Sequence, residues 1–222
     1  MNRDPPRGSF TGSSVGLIVA SAGRWGCALE RVACDPAPAP GVQQDLHQPR
    51  QFGGLGMVIA NAGADEGGNI GEGRFEAHRA VVDVNLLGAM ATIDAAVAHF
   101  RSKGGGQVVG FTSVAAAAGL PGGAPYCASK AGLTRYLQSL RGELWNSGIT
   151  VTTVAPGYID TPINESLGDK RPFLIDTRTG ARKIMDRIES GAVHATVPRV
   201  PWAVVEYLLA RIPTRLLRKV HA

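Results

Sequence analysis

Three short apolar runs, each followed by glycine, asparagine or serine, restrict most what this chain can fold into. "GMVIANAG" (56–63), "GGGQVVGFTSVAA" (104–116) and "ITVTTVAPG" (149–157) put apolar or β-branched residues at successive positions, with no alternation of polar residues. A strand without a polar face has to be covered on both sides, as in a parallel sheet flanked by helices. The intervening stretches fit crossover helices. Residues 75–101 space Val81, Val84, Leu87, Ile93, Val97 and Phe100 at helical intervals. A second helix is expected from about Pro125 to Trp145, with proline near its start and Gly148 just past its end. The alternation predicts an α/β fold, a doubly wound parallel sheet of the Rossmann-like kind. A length of 222 residues fits one domain better than two.

On the second helix Tyr126 and Lys130 are one turn apart and share a face. Ser113 lies at the end of the preceding strand, where side chains of a parallel sheet emerge into the ligand crevice. A free phenol has a pKa of about 10 and is a poor base near neutrality. A neighbouring ammonium favours the phenolate and is expected to lower that value. A serine hydroxyl can hold a substrate oxygen. The trio could therefore move a proton on or off a carbinol oxygen while a hydride leaves its carbon. Singly, each residue has a plainer reading: a surface Tyr–Lys pair, and a serine in a strand-end turn.

Ser113, Tyr126-x-x-x-Lys130, "NAG" at 61–63, "VNLLG" at 84–88 and "PGYIDTP" at 156–162 together resemble the short-chain dehydrogenase/reductase family, in order and in spacing. The resemblance is strong over about residues 55–165. It implies that Tyr126 is the general acid/base and that Lys130 lowers its pKa and binds the nicotinamide ribose. Ser113 would polarise the substrate carbonyl, and Asn85 would hold a water of the proton relay. Asn61, Ala62 and Gly63 would line the adenine-ribose side. Pro156 and Gly157 would shape the nicotinamide wall, with Thr161 reaching the carboxamide.

The N-terminal part departs from the family pattern. A TGxxxGxG turn corresponds to "SFTGSSVGLIVASAG", in which Thr11, Gly12 and Gly16 match and Ile18 takes the third glycine position. Gly12, Ser14 and Gly16 would face the cofactor pyrophosphate at a helix N-terminus. "ERVACDP" is expected to be a second strand ending at Asp35, 23 residues after Gly12, near the offset of a ribose-binding acid. Asp35 favours NAD over NADP, although Arg24 and Arg31 could meet a 2′-phosphate, and an Asp before Pro36 also suits a plain turn. Asp45 in "VQQDL" would contact adenine. Only "PAPAPG" separates Asp35 from Val42, too short and too proline-rich for a crossover helix. One or two flanking helices are thus expected to be shortened or missing, with a partner chain covering the exposed sheet face or that half loose. The single domain 1–222 divides into a cofactor-binding half (1–63), a catalytic half (64–162) and a substrate lid with C-terminal tail (163–222).

The net charge of +5 is concentrated late in the chain, where Arg199, Arg211, Arg215, Arg218 and Lys219 face one acid, Glu206. Beside them Trp202, Val205, Leu208, Leu209, Ile212, Leu216 and Leu217 form an apolar stripe. Such a tail suits an anionic membrane surface, but packing on its own domain or on a subunit partner is the favoured reading. Nucleic acid is not expected as a partner. Cys27, Cys34 and Cys127 form no metal-ligand cluster and read as buried thiols in a reducing compartment. "MNRDPPRGSF" has no leader pattern, and no run is expected to reach membrane-span length, so a soluble cytoplasmic protein is expected. The resemblance adds a homo-oligomer. The leading function is an NAD(P)-dependent oxidoreductase interconverting a secondary alcohol and a ketone, with mild preference for a hydrophobic one. The alternative is a catalytically silent relative that keeps the fold as a binding or regulatory module, motivated by Ile18 and the shortened crossovers.

Overall fold

A computed structural model describes residues 17–21, 29–32, 55–66, 68–161, 163, 168 and 171–218. Six strands form one sheet: β1 (Leu17–Ser21), β2 (Leu29–Val32), β3 (Leu55–Ala60), β4 (Gly106–Phe111), β5 (Ile149–Pro156) and β6 (His194–Val197). Their order is β2-β1-β3-β4-β5-β6. Strands β3 to β6 are parallel neighbours in register, with Val58 opposite Val108, Val108 opposite Val151 and Val154 opposite Ala195. The three apolar runs are β3, β4 and β5, as expected.

Helices connect the parallel strands. A continuous helical segment runs through α1 (Phe75–Val82), a π-helical stretch (Asp83–Gly88) and α2 (Ala89–Lys103) between β3 and β4. Helix α3 (Ala124–Glu143) joins β4 to β5, and α4 (Thr177–Glu189) joins β5 to β6. Helices α5 (Arg199–Leu209) and α6 (Thr214–Leu217) follow β6. Side chains alternate across the strands and build two cores. Val58, Val108 and Val151 meet Ile93, Phe100, Leu133 and Leu137 of α2 and α3 on one face. Ile59, Val109 and Val154 meet Ile184 and Ile188 of α4 on the other. This three-layer, Rossmann-like arrangement is the expected fold class.

One close approach sets the depth of the first layer. A Cβ on Gly110 would lie 2.5 Å from Leu137 Cδ1, so Leu137 nests directly on the β4 backbone. Helix α3 is tied down again at its C-terminal end. Arg141 donates to the carbonyls of Val151 and Val193 and to Thr153 Oγ1.

Several expectations are corrected. The stretch after Gly16 was expected to leave a glycine turn as a helix, yet Leu17–Ser21 is extended and pairs antiparallel with both β2 and β3, Ile18 lying opposite Arg31 and Ile59. Leu-Ile-Val is strand-prone, and β-branched side chains lose rotamer freedom in a helix. β2 covers Leu29–Val32, within the second strand expected around "ERVACDP"; its expected end at Asp35 lies outside the described residues. Within the segment read as a lid, Thr177–Glu189 is a crossover helix that contains "ARKIMDRI" and buries Ile184 and Ile188. Its N-cap Asp176 accepts from Thr179 N. Contrary to expectation, one run has membrane-span length: Phe75–Lys103 is 29 residues long with a mean hydropathy of 1.6 over its best window. It packs as a core helix, with Val81, Ile93 and Phe100 fully buried. The C-terminal stripe divides. Trp202 and Leu217 are buried, whereas Leu208 and Leu216 are exposed.

Candidate active site

The carboxyl ends of β3, β4 and β5 present the segments Asn61–Asp65, Thr112–Ser113 and Pro156–Tyr158 to one edge of the sheet. Helix α3 crosses above them, starting with Pro125 in its first turn. Such an edge is where parallel α/β sheets bind ligands.

Lys130 is 4 % exposed. Its Nζ donates to the Phe111 carbonyl at 3.0 Å and lies 5.8 Å from the Tyr126 ring centroid. A Cβ on Gly63 would stand 3.7 Å from that Nζ and 3.8 Å from Asn85 Oδ1, so Gly63 opens onto both polar groups. Asn85 sits in the π stretch, fully buried. Its Oδ1 accepts from Ala64 N at 2.7 Å, while Nδ2 donates to Ala64 O at 2.9 Å and to Ser129 Oγ at 3.1 Å. Ser129 Oγ in turn donates to the Tyr126 carbonyl at 2.8 Å. A buried carboxamide with every polar atom bonded holds its neighbours in one geometry. Asn85 thereby locks the β3 loop to the start of α3. A π-type widening of a helix is frequent at functional positions.

Ser113 caps the short 3₁₀ turn Val114–Ala117, its Oγ accepting from Ala115 N at 3.1 Å. It also hydrogen-bonds the Tyr126 side chain. The protonation balance differs from the sequence expectation. Tyr126 is half-buried, and burial pushes the phenol up to about 12. The Ser113 hydrogen bond opposes this rise, and Asp65, Cys127 and Tyr158 add to it. Burial lowers Lys130 to about 8, with Asp65 pulling the other way. The phenol thus lies above its ordinary value, with burial the largest cause, while the Lys130 ammonium donates to a backbone carbonyl.

The structure brings together Asn85, Ser113, Tyr126, Lys130 and Gly63. Asn61 is exposed at the end of β3, and Ala62 is half-buried beside it. Pro156 ends β5, and Gly157 N donates to Val197 O at 2.9 Å. A Cβ on Gly157 would fall 2.3 Å from the Trp202 ring, so α5 rests against this turn. The Thr161 hydroxyl turns back to the Ile159 carbonyl at 3.2 Å. Gly12, Ser14, Gly16, Asp35 and Asp45, expected to bind the cofactor, lie outside the described residues, as do Cys27 and Cys34. Cys127 is a buried free thiol.

Sequence reasoning missed three features. Ser129, the link between Asn85 and Tyr126, stood in plain view between the tyrosine and the lysine. Asp65 acts electrostatically on Tyr126, Lys130 and Tyr158, and burial raises its own pKa while Lys130 lowers it. Trp202 stacks edge-on against Tyr158 and Phe173, with centroids 5.3 and 6.0 Å away. These three aromatics come from separate segments, and no local pattern joins them.

A family profile described as short chain dehydrogenase matches residues 27–172. An uncharacterized oxidoreductase of Mycobacterium tuberculosis is 35% identical over 170 residues, covering 76% of this chain and 67% of that protein. One from Myxococcus xanthus is 30% identical over 194 residues, covering 87% and 73%. A 3-oxoacyl-[acyl-carrier-protein] reductase of Staphylococcus aureus is 34% identical over 120 residues, 54% of this chain and 49% of that one. A crystal structure of a short chain dehydrogenase from Burkholderia cenocepacia in complex with NADP superposes with a TM-score of 0.73 at 25% identity, covering 86% of this chain and 80% of the other.

Proposed function

The chain belongs to the short-chain dehydrogenase/reductase family of oxidoreductases, and from that premise we propose that it interconverts a secondary alcohol and a ketone with NAD(H) or NADP(H). One observation carries this reading: Asn85, Ser113, Tyr126 and Lys130 converge at the carboxyl ends of parallel strands, linked through Ser129 and the Ser113–Tyr126 hydrogen bond. The nicotinamide side of a dinucleotide fits the residues present. Gly63 leaves room in front of a buried ammonium and a carboxamide, and Pro156–Gly157 closes the adjacent wall. Bound there, the cofactor supplies or accepts the hydride.

Every remaining task falls to the chain. Ser113 orients the substrate oxygen by its hydroxyl and keeps it next to Tyr126. Tyr126 donates the proton when a ketone is reduced and accepts it when an alcohol is oxidised. Burial holds the phenol up at about 12, so Tyr126 carries its proton at neutral pH before cofactor and substrate enter. Lys130 keeps a positive charge beside the tyrosine and offers its remaining N–H groups to a ribose hydroxyl. Asn85 fixes the loop after β3, so that these groups keep their spacing. The aromatic set Tyr158, Phe173 and Trp202 supports an apolar substrate. For the cofactor, Asp35 leans towards NAD, while the Burkholderia cenocepacia neighbour holds NADP. The homo-oligomeric and cytoplasmic readings stand with the family resemblance as parts of this proposal.

Titration with NADH and NADPH, followed by nicotinamide fluorescence, together with a ketone panel tests the reading. We expect binding of at least one cofactor and turnover that Tyr126→Phe removes without removing binding. Wild-type activity in that variant would end the proposal. The silent-relative reading has one observation in its favour: Leu17–Ser21 is a paired strand where a helix facing the pyrophosphate was expected. Turnover of a ketone that depends on bound cofactor and is lost in Tyr126→Phe excludes it.

A further inference from the structure

Helix α5 has two dissimilar sides. Trp202, Val205, Glu206 and Leu209 point inward, buried or half-buried. Val200, Val204, Tyr207 and Leu208 point outward and are 56 to 78 % exposed. On the helix Val204, Tyr207 and Leu208 fall within about a third of its circumference, while Val200 stands at the kink before its regular turns, with a non-helical backbone (φ -106°, ψ 129°). Arg211 continues that line, its guanidinium lying 3.7 Å over the Tyr207 ring and donating to the Tyr207 carbonyl. Arg199 precedes the helix face in the chain, while Arg215, Leu216 and Arg218 follow it, and all are exposed. Among the described residues, none of these arginines has an ion pair. The single acid of the segment, Glu206, faces away: it accepts from Thr196 Oγ1 at 2.6 Å and pairs with His194 at 3.0 Å.

We propose that this face docks the protein onto a membrane surface bearing anionic lipid headgroups. Aliphatic and aromatic residues flanked by arginines match the boundary between acyl chains and charged headgroups, where the apolar side chains insert and the cations stay with phosphate. A second copy of the chain fits poorly. A two-fold interface would set the same patch against itself, placing arginines opposite arginines with no carboxylate among the described residues of that face. Nucleic acid fits poorly as well, since a phosphate backbone offers nothing to cover Val200, Val204 and Leu208. The face lies on the helix whose inner side carries Trp202, so docking leaves the residues assigned above to catalysis untouched.

Sedimentation of the full chain with vesicles tests this. Vesicles of phosphatidylcholine alone are compared with vesicles carrying roughly one third phosphatidylglycerol. The protein should pellet with the second at low salt and be released as salt rises. Val204→Ser combined with Leu208→Ser, and separately Arg211→Glu combined with Arg215→Glu, should each weaken binding about tenfold or more, with melting curves unchanged. No pelleting with anionic vesicles, or pelleting equal to wild type in both variants, overturns the proposal. So does a concentration-dependent dimer in analytical ultracentrifugation that Val204→Ser/Leu208→Ser dissociates, or duplex DNA binding as strong as vesicle binding.

Discussion

The chain holds two tyrosine–cation pairs at the same four-residue spacing, one in α3 and one beginning in α5. In α5, Arg211 stacks on Tyr207 at 3.7 Å, and both residues are exposed. In α3, Lys130 stands 5.8 Å from the Tyr126 ring and is buried. Helical spacing alone brings a ring and a cation together and says nothing about chemistry. Burial separates the two pairs. An exposed cation over a ring contributes about 0.5–1 kcal/mol and asks nothing of its surroundings. A buried lysine pulled from 10.5 to about 8 carries a penalty on the order of 3 kcal/mol at neutral pH, which folding alone gives no reason to bear. The α3 pair therefore reads as a site and the α5 pair as a surface.

The largest expected contrast is in turnover. Tyr126→Phe should lower kcat at least a hundredfold, whereas Tyr207→Phe should leave ketone reduction within error. Equal losses in steady-state assays would erase the distinction between the pairs. Lys130→Met should lose activity too, and its stability should move the opposite way. Below about pH 8 the folded and unfolded chains both carry the Lys130 proton, and the burial penalty is fully present. From about 8 to 10.5 the unfolded chain still holds the proton that the folded chain has released, so wild-type stability rises with pH. Above 10 the phenol of Tyr126, raised to about 12, acts against this, because the unfolded tyrosine ionises first. Lys130→Met should accordingly be about 1–2 kcal/mol more stable than wild type at pH 7, with the gap closing between pH 8 and 10 in thermal melts. A constant gap would mean that the amine is not buried as a cation.

Smaller effects sharpen the same contrast. Gly157→Ala puts a methyl against Trp202, which should cost about 1–3 kcal/mol and shift tryptophan emission as α5 is displaced. Unchanged emission would detach α5 from the β5 turn. The smallest change is expected for Arg211→Ala, below about 1 kcal/mol in denaturant unfolding.

What the sequence made legible followed from long, one-sided patterns. β3, β4 and β5 are runs with no polar face, and α3 is bracketed by Pro125 and the turn at Gly148. Ser113, Tyr126 and Lys130 could be placed because a strand end and a helical turn fix where such residues emerge, whereas Asn85 came only from the resemblance carried by "VNLLG". β6 escaped notice because four residues, "HATV", followed directly by proline, are too short for a period to show. Leu17–Ser21 was misread because a glycine pattern upstream suggested a helix, whereas the β-branched side chains and pairing with β3 favour a strand. The protonation balance was beyond reach as well. Spacing gives the distance between a phenol and an ammonium, but the water each loses depends on the whole surrounding shell.

Gly110 and Phe111 are neighbours on β4, and the first receives Leu137 while the second receives the Lys130 ammonium. The bare α-carbon works as a shim that sets the height of α3 above the strands. A methyl there would lift the helix, and the lysine two turns earlier would rise with it. One missing carbon beneath one turn of a helix thus governs whether an amine two turns away on the same face can touch its carbonyl.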